Sequence, residues 1–253
     1  MSLFVREVGD DGPIVVLLHG FGGSHAVWAP IQNTLATQAR TLAYDLPGHA
    51  GSLGYPDAGS AKVAAQAILG ELASRGIEKA HVAGHSMGGA VAALMAILDP
   101  ARVASLTLLS PGGFGPEINH RLLTRYAAAR DEASLRPCLE AMFGWMSPVP
   151  EETVAHALTA RAGEGRSEKL MSMAQGLARD GKQGQLPRER LEALAMPVTV
   201  AWGELDNVLP SRQARALPWR FGVHLFADLG HMLPDEAPDE MAALIARTAG
   251  LGG

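Results

Sequence analysis

Three side chains in this sequence carry the chemistry of a nucleophile, a base and an acid. Ser86 lies in Gly84-His85-Ser86-Met87-Gly88-Gly89, between an apolar run and an Ala-rich stretch. A Gly-x-Ser-x-Gly turn bends a strand sharply into a helix, and its glycines remove side chains that would clash there. Ser86 Oγ would then project from the N-terminus of that helix, where the Met87 N–H can stabilise a developing oxyanion. A serine is a weak nucleophile at neutral pH. It needs an imidazole to take its proton, and the imidazole needs a carboxylate to fix its tautomer. Asp206 follows Val198-Thr-Val-Ala-Trp-Gly-Glu-Leu, and His231 follows His224-Leu-Phe-Ala-Asp-Leu-Gly, so Ser, acid and His come in the order such a site requires. Glu204 and Asp228 are neighbouring carboxylates that could replace Asp206. A fourth part is the loop His19-Gly20-Phe21-Gly22-Gly23-Ser24, whose glycines leave backbone N–H groups exposed. The Phe21 N–H is the expected second oxyanion donor, with Gly22 as the alternative and the His19 side chain as structural. The loop has neither a P-loop Lys-Ser/Thr ending nor Gly-x-Gly-x-x-Gly spacing, so it does not read as a nucleotide site.

Strands must carry these groups. The apolar runs predict strands at Ile14–His19, Thr41–Asp45, Ala80–Gly84, Ser105–Leu109, Val198–Trp202 and His224–Ala227. Several are apolar at nearly every position, as strands covered on both faces should be. Helical stretches are expected near Ala26–Thr37 behind a Ser24 cap, Ala61–Ser74, Met87–Leu98 and Asp235–Ala246. Strands alternating with helices indicate a parallel sheet with crossover helices. The alternation breaks between Gly112 and Leu186, where only helical periodicity remains, so this stretch is expected to be a helical lid. Within it Leu135, Leu139, Met142, Phe143 and Met146 recur at helical spacing. Phe143, Trp145 and Met146 are the expected apolar pocket residues, with His85 shaping the pocket from the turn at Ser86.

Composition narrows the rest. Lys plus Arg total 21 against 26 Asp plus Glu, which predicts no broad basic surface for nucleic acid or anionic lipid. The start Met1-Ser-Leu-Phe-Val-Arg6 is unlike a secretory signal, and the apolar runs are far shorter than the ~20 residues of a membrane span. A lone Cys138, expected to pack in the interior, fits a reducing compartment, so the expected location is cytoplasmic. His81, His120, His156 and His224 show no shared ligand spacing, and no metal or cofactor is expected. Asp45-Leu-Pro47-Gly48-His49 reads as a strand-ending turn.

His19-Gly20-Phe21-Gly22-Gly23, Asp45-Leu-Pro-Gly-His49, the turn at Ser86, Trp202-Gly-Glu-Leu-Asp206 and Gly230-His231 together resemble the α/β-hydrolase superfamily over nearly the whole chain. The resemblance implies an α/β fold with a mostly parallel, doubly wound sheet and a lid inserted after the sixth family strand. Residues 1–111 and 187–253 would then form the core and 112–186 the lid. Leu109-Ser-Pro-Gly-Gly-Phe-Gly-Pro-Glu-Ile-Asn119 is similar to the lid entrance in acetoin dehydrogenase acetyltransferase subunits, which carry a lipoyl domain that these 253 residues lack. Ser110-Pro-Gly-Gly-Phe-Gly115 is also similar to meta-cleavage carbon–carbon hydrolases. That family typically has Asn before its serine and Trp after its histidine, where this chain has His85 and Met232. A serine at 86 argues against epoxide hydrolase and haloalkane dehalogenase chemistry, which attacks with a carboxylate. The expected function is hydrolysis of a small carboxylic ester, thioester or lactone through an acyl-enzyme on Ser86. The alternatives are carbon–carbon hydrolysis, acyl transfer and a non-catalytic ligand receptor. A small acyl compound is the expected partner, with the oligomeric state left open.

Overall fold

The computed structural model describes residues 2–252. Seven strands form one sheet in the order β1-β3-β2-β4-β5-β6-β7, where β1 is Val5–Val8, β2 Ile14–Leu18, β3 Arg40–Tyr44, β4 Ala80–His85, β5 Val103–Leu109, β6 Val198–Gly203 and β7 Gly222–Phe226. β1 runs antiparallel to β3, and every other pairing is parallel. The fully apolar runs are the central strands: Val15, Val16, Leu17 and Leu18 of β2 are all inaccessible. They feed two separate cores, one on each face. One face carries α2 (Ala61–Ser74) and α3 (Met87–Leu98), the other α1 (Ala29–Leu35) and the carboxy-terminal helix.

Sequence and structure differ where proline or exposure intervenes. The helix expected from Ala26 to Thr37 is a short 3-10 turn over His25–Trp28 followed by α1, because Pro30 can occupy only a first helical turn. Ser24 does cap it, its Oγ accepting from the Ala26 N–H at 3.3 Å. The final helix divides likewise at Pro238, into α9 (Leu233–Glu236) and α10 (Pro238–Ala249). α10 stops at Gly250, whose φ of 69° is left-handed. β1 was not expected, since a half-buried edge strand reading Val-Arg-Glu-Val has no apolar run. Between β5 and α8 (Arg188–Glu192) lie α4 (His120–Ala128), α5 (Glu132–Glu140), α6 (Glu151–Arg161) and α7 (Arg166–Gly176), with no named strand. Among the described residues no helix is long and apolar enough to cross a membrane.

Candidate active site

β4 delivers Ser86 into a strained bend. Ser86 has φ 52° and ψ −115°, a region costly for any residue with a β-carbon, of order 1–3 kcal/mol. Its neighbours hold it there. The Ser86 N–H donates to Leu109 O at 2.9 Å, and Ser86 O accepts from the N–H groups of Gly89 and Gly112 at 3.0 and 2.9 Å. The flanking glycines are steric necessities: a β-carbon on Gly84 would collide with the Gly88 carbonyl, and one on Gly88 with the Leu18 carbonyl. Met87 then begins α3, so its N–H has no acceptor within the helix.

His231 arrives after β7. Its Nε2 lies 2.9 Å from Ser86 Oγ, and its Nδ1 lies 2.8 Å from Asp206 Oδ2. All three residues are buried. Asp206 Oδ1 accepts from the N–H groups of Val208 and Leu209, each at 2.8 Å, and Oδ2 also accepts from Trp202 Nε1 at 3.2 Å. These donors turn the carboxylate inward, toward the imidazole. Glu204 and Asp228, the two other candidates, are exposed. With the carboxylate on Nδ1, the imidazole carries its hydrogen there and presents Nε2 to the hydroxyl, so it can take the Oγ proton.

Two further groups fix the histidine, and sequence reasoning missed the larger of them. Glu236 accepts from the N–H groups of Gly230 and Met232, on either side of His231, and from Gly144 N–H at 2.8 Å. One carboxylate thus ties the His231 loop to the helical insertion. The five-residue gap from His231 to Glu236 is the only trace of this in the sequence. His85 Nε2 donates to His231 O at 2.8 Å, and its ring lies 4.9 Å from the His231 ring. Burial, with His231 alongside, pushes the His85 imidazole down to about 3, so it is a neutral prop rather than a second base.

The loop after β2 runs directly against this bend. A β-carbon on Gly20 would lie 3.2 Å from Ser86 Cβ. Among the described residues the Phe21 N–H has no backbone acceptor, which leaves it free beside Ser86. His19 shapes the loop. Its Nδ1 donates to Gly20 O at 2.7 Å while Nε2 accepts from Leu46 N–H at 2.9 Å, and burial lowers its pKa. Asp45 also serves structure, accepting from His25 N–H and Gly51 N–H.

Ser86 stands between two cavities. One of about 310 Å³ is lined by Phe21, Met87, Leu94, Ile118, Leu177 and Leu186 among others. The second, of about 40 Å³, lies beside His231 and is lined by His85, Tyr126, Met142 and Met232. No Lys or Arg side chain among the described residues lines either one. Of the expected pocket residues only His85 is in place. Phe143 is buried away from both cavities, and Trp145 and Met146 are 82% and 84% exposed. The reason is local: α5 ends at Glu140, so the helical spacing that would align Phe143 with Met146 does not exist. Met142 and Phe143 instead form a turn against the histidine loop, with His231 N–H donating to Met142 O at 2.7 Å. The insertion meets the large cavity at its two ends, through Gly112–Leu123 and Gly176–Leu186.

Known proteins are similar to this chain along nearly its full length. A dihydrolipoyllysine-residue acetyltransferase component of an acetoin cleaving system from Cupriavidus necator is 35% identical over 244 residues, 96% of this chain and 65% of that protein. The chain therefore spans under two thirds of that relative, and 62% of its Pseudomonas putida counterpart. A 2-hydroxy-6-oxo-6-phenylhexa-2,4-dienoate hydrolase from Comamonas testosteroni is 27% identical over 94% of this chain and 88% of its own length. A meta-cleavage product hydrolase structure from Pseudomonas fluorescens IP01 superposes with a TM-score of 0.83 at 22% identity, covering 98% of this chain and 94% of that one. Residues 15–244 match the alpha/beta hydrolase family itself, and the chain belongs to that family.

Proposed function

We propose that this hydrolase cleaves a small carboxylic ester, thioester or lactone through an acyl-enzyme on Ser86. The observation that carries the reading is the unbroken hydrogen-bonded chain Ser86 Oγ, His231 Nε2, His231 Nδ1, Asp206 Oδ2. Ser86 Oγ attacks the carbonyl carbon as His231 takes its proton, and Asp206 stabilises the resulting imidazolium. The Phe21 and Met87 amides hold the oxyanion. The leaving group departs with the proton from His231, and water activated by His231 then releases the acid, with no cofactor taking part. The acyl half occupies the large apolar cavity, and the insertion serves as a lid whose two ends set its shape.

A second reading is carbon–carbon hydrolysis, favoured by the Comamonas testosteroni relative. A dienoate carries a carboxylate, which an apolar cavity without Lys or Arg is poorly built to hold. Acetyl transfer is the third reading, on the 35% identity to the acetoin system components. Turnover of p-nitrophenyl esters of graded acyl length, beside a lactone and a vinylogous diketone, separates these. Ester or lactone cleavage without added acceptor supports the first reading, and cleavage of the diketone alone rejects it.

A further inference from the structure

The small cavity beside His231 does not end there. It shares Gly23, Val27, Tyr126 and Met232 with a second void of about 40 Å³. That void shares Val27, Thr153, His156 and Asp235 with a third of about 80 Å³. The third is bounded by Pro30, Pro150 and Glu152, all exposed, so the row runs from Ser86 to the surface. The large apolar cavity shares no lining residue with the two outer voids. A row of adjoining voids thus lies between His231 and the surface, separate from the cavity the acyl half would fill.

Its polarity differs from that of the large cavity. Asp235 lines both outer voids; its Oδ1 accepts from Thr153 Oγ1 at 2.6 Å, while Oδ2 is buried with no hydrogen-bond partner. An unpaired buried carboxyl oxygen is costly unless something polar reaches it. A void of about 40 Å³ holds at least one water, and Ser24, Thr153 and His156 offer it further partners.

We propose that this row of voids is a rear inlet that brings the hydrolytic water to His231 while the acyl group fills the large cavity. The inlet rests on the acyl-enzyme reading above. In the step it feeds, the water oxygen bonds to the acyl carbon as His231 Nε2 takes one of its protons. The bond from that carbon to Ser86 Oγ then breaks, the proton passes to Oγ, and the carboxylic acid leaves. Water entering from the rear reaches the face of the acyl carbon that His231 borders, without displacing the apolar chain in front.

Ala157 lines the middle void and Ala26 the outer one, and neither lines the cavities at Ser86. Ala157→Leu fills the middle of the inlet and Ala26→Leu its mouth. Mass spectrometry of rapidly quenched p-nitrophenyl octanoate reactions, whose acyl chain occupies the large cavity, reads the formation and decay of the octanoyl adduct separately. Formation should stay within about twofold of the unaltered chain in both variants, while adduct decay slows by at least about fivefold. Ala157→Gly, which leaves the void open, should not slow decay. If Ala157→Leu fails to fold, Ala26→Leu reads the same passage from outside. Unchanged decay in a folded, plugged variant overturns the inlet and leaves the acyl-enzyme standing. Failure of the unaltered chain to form any adduct overturns both.

Discussion

On the proposed mechanism Ser86, His231 and Asp206 act as one unit, so removing any member should leave only binding and oxyanion contacts. Ser86→Ala is expected to lower kcat by about 10⁴ to 10⁶ with an unchanged circular dichroism spectrum. Asp206→Asn should cost about 10⁴, because an amide can leave the imidazole in the wrong tautomer. Glu204→Gln, on an exposed side chain, should stay within about threefold in the same assay. A reversal of these two would move the acid to Glu204. Ser86 was legible in the sequence because the bend that strains it is local and needs glycines at fixed offsets. The choice of Asp206 over Glu204 and Asp228 was harder to read. It depends on Trp202 Nε1 and two amides that turn one carboxylate inward, and spacing alone cannot reveal that.

The central strands that hold these residues announce themselves: β2, β4 and β6 are apolar runs because both faces are covered. At the edges β7 is exposed but still shows a short run at His224–Ala227, while β1 shows none. The arm of the His231 clamp that reaches the insertion was invisible, since it joins Glu236 to Gly144 across 92 residues. Glu236→Gln should weaken these charge-assisted bonds and loosen the histidine loop, lowering kcat about tenfold with KM within about twofold. An equal rise in KM would mean that Glu236 shapes the cavity instead. Asp235 on α9 gives a pH signature. Burial, with Glu236 and Glu152 nearby, raises its pKa from 3.8 to about 7, while Thr153 donates to it and His156 lines the same void. The folded chain then keeps a proton between about pH 4 and 7 that the unfolded chain releases, so this contribution to stability is lost as pH rises through 7. Asp235→Asn cannot ionise. It should raise Tm at pH 8 by several degrees and by less at pH 5, as followed by thermal melts. An equal gain at both values would show that the carboxyl is not held neutral.

Across the whole chain, the sheet brings together groups from residues 21, 86, 206 and 231, and the two ends of the segment between β5 and α8 line the large cavity beside them. Phe143, Trp145 and Met146 lie outside both cavities because α5 ends at Glu140 and the chain turns before them. Leu177 continues the helical spacing of Leu170 and Met173 at the end of α7, whereas Leu186 lies beyond it in a stretch with no periodic signal. Filling the large cavity with Leu186→Trp should therefore shift the ratio of kcat/KM between long and short acyl esters by at least about threefold, the worth of roughly one methylene contact. Met146→Ala should leave that ratio unchanged, its side chain being exposed. On the proposed mechanism His231 makes Ser86 a nucleophile, and a fluorophosphonate reports this directly by exchanging its fluoride for an activated serine oxygen. Intact and peptide mass spectrometry should find one phosphonyl group per chain, on Ser86, absent from Ser86→Ala and slowed by at least about 10²-fold in His231→Ala. An unmodified Ser86 in a chain that still hydrolyses esters, or modification at another residue, would contradict it.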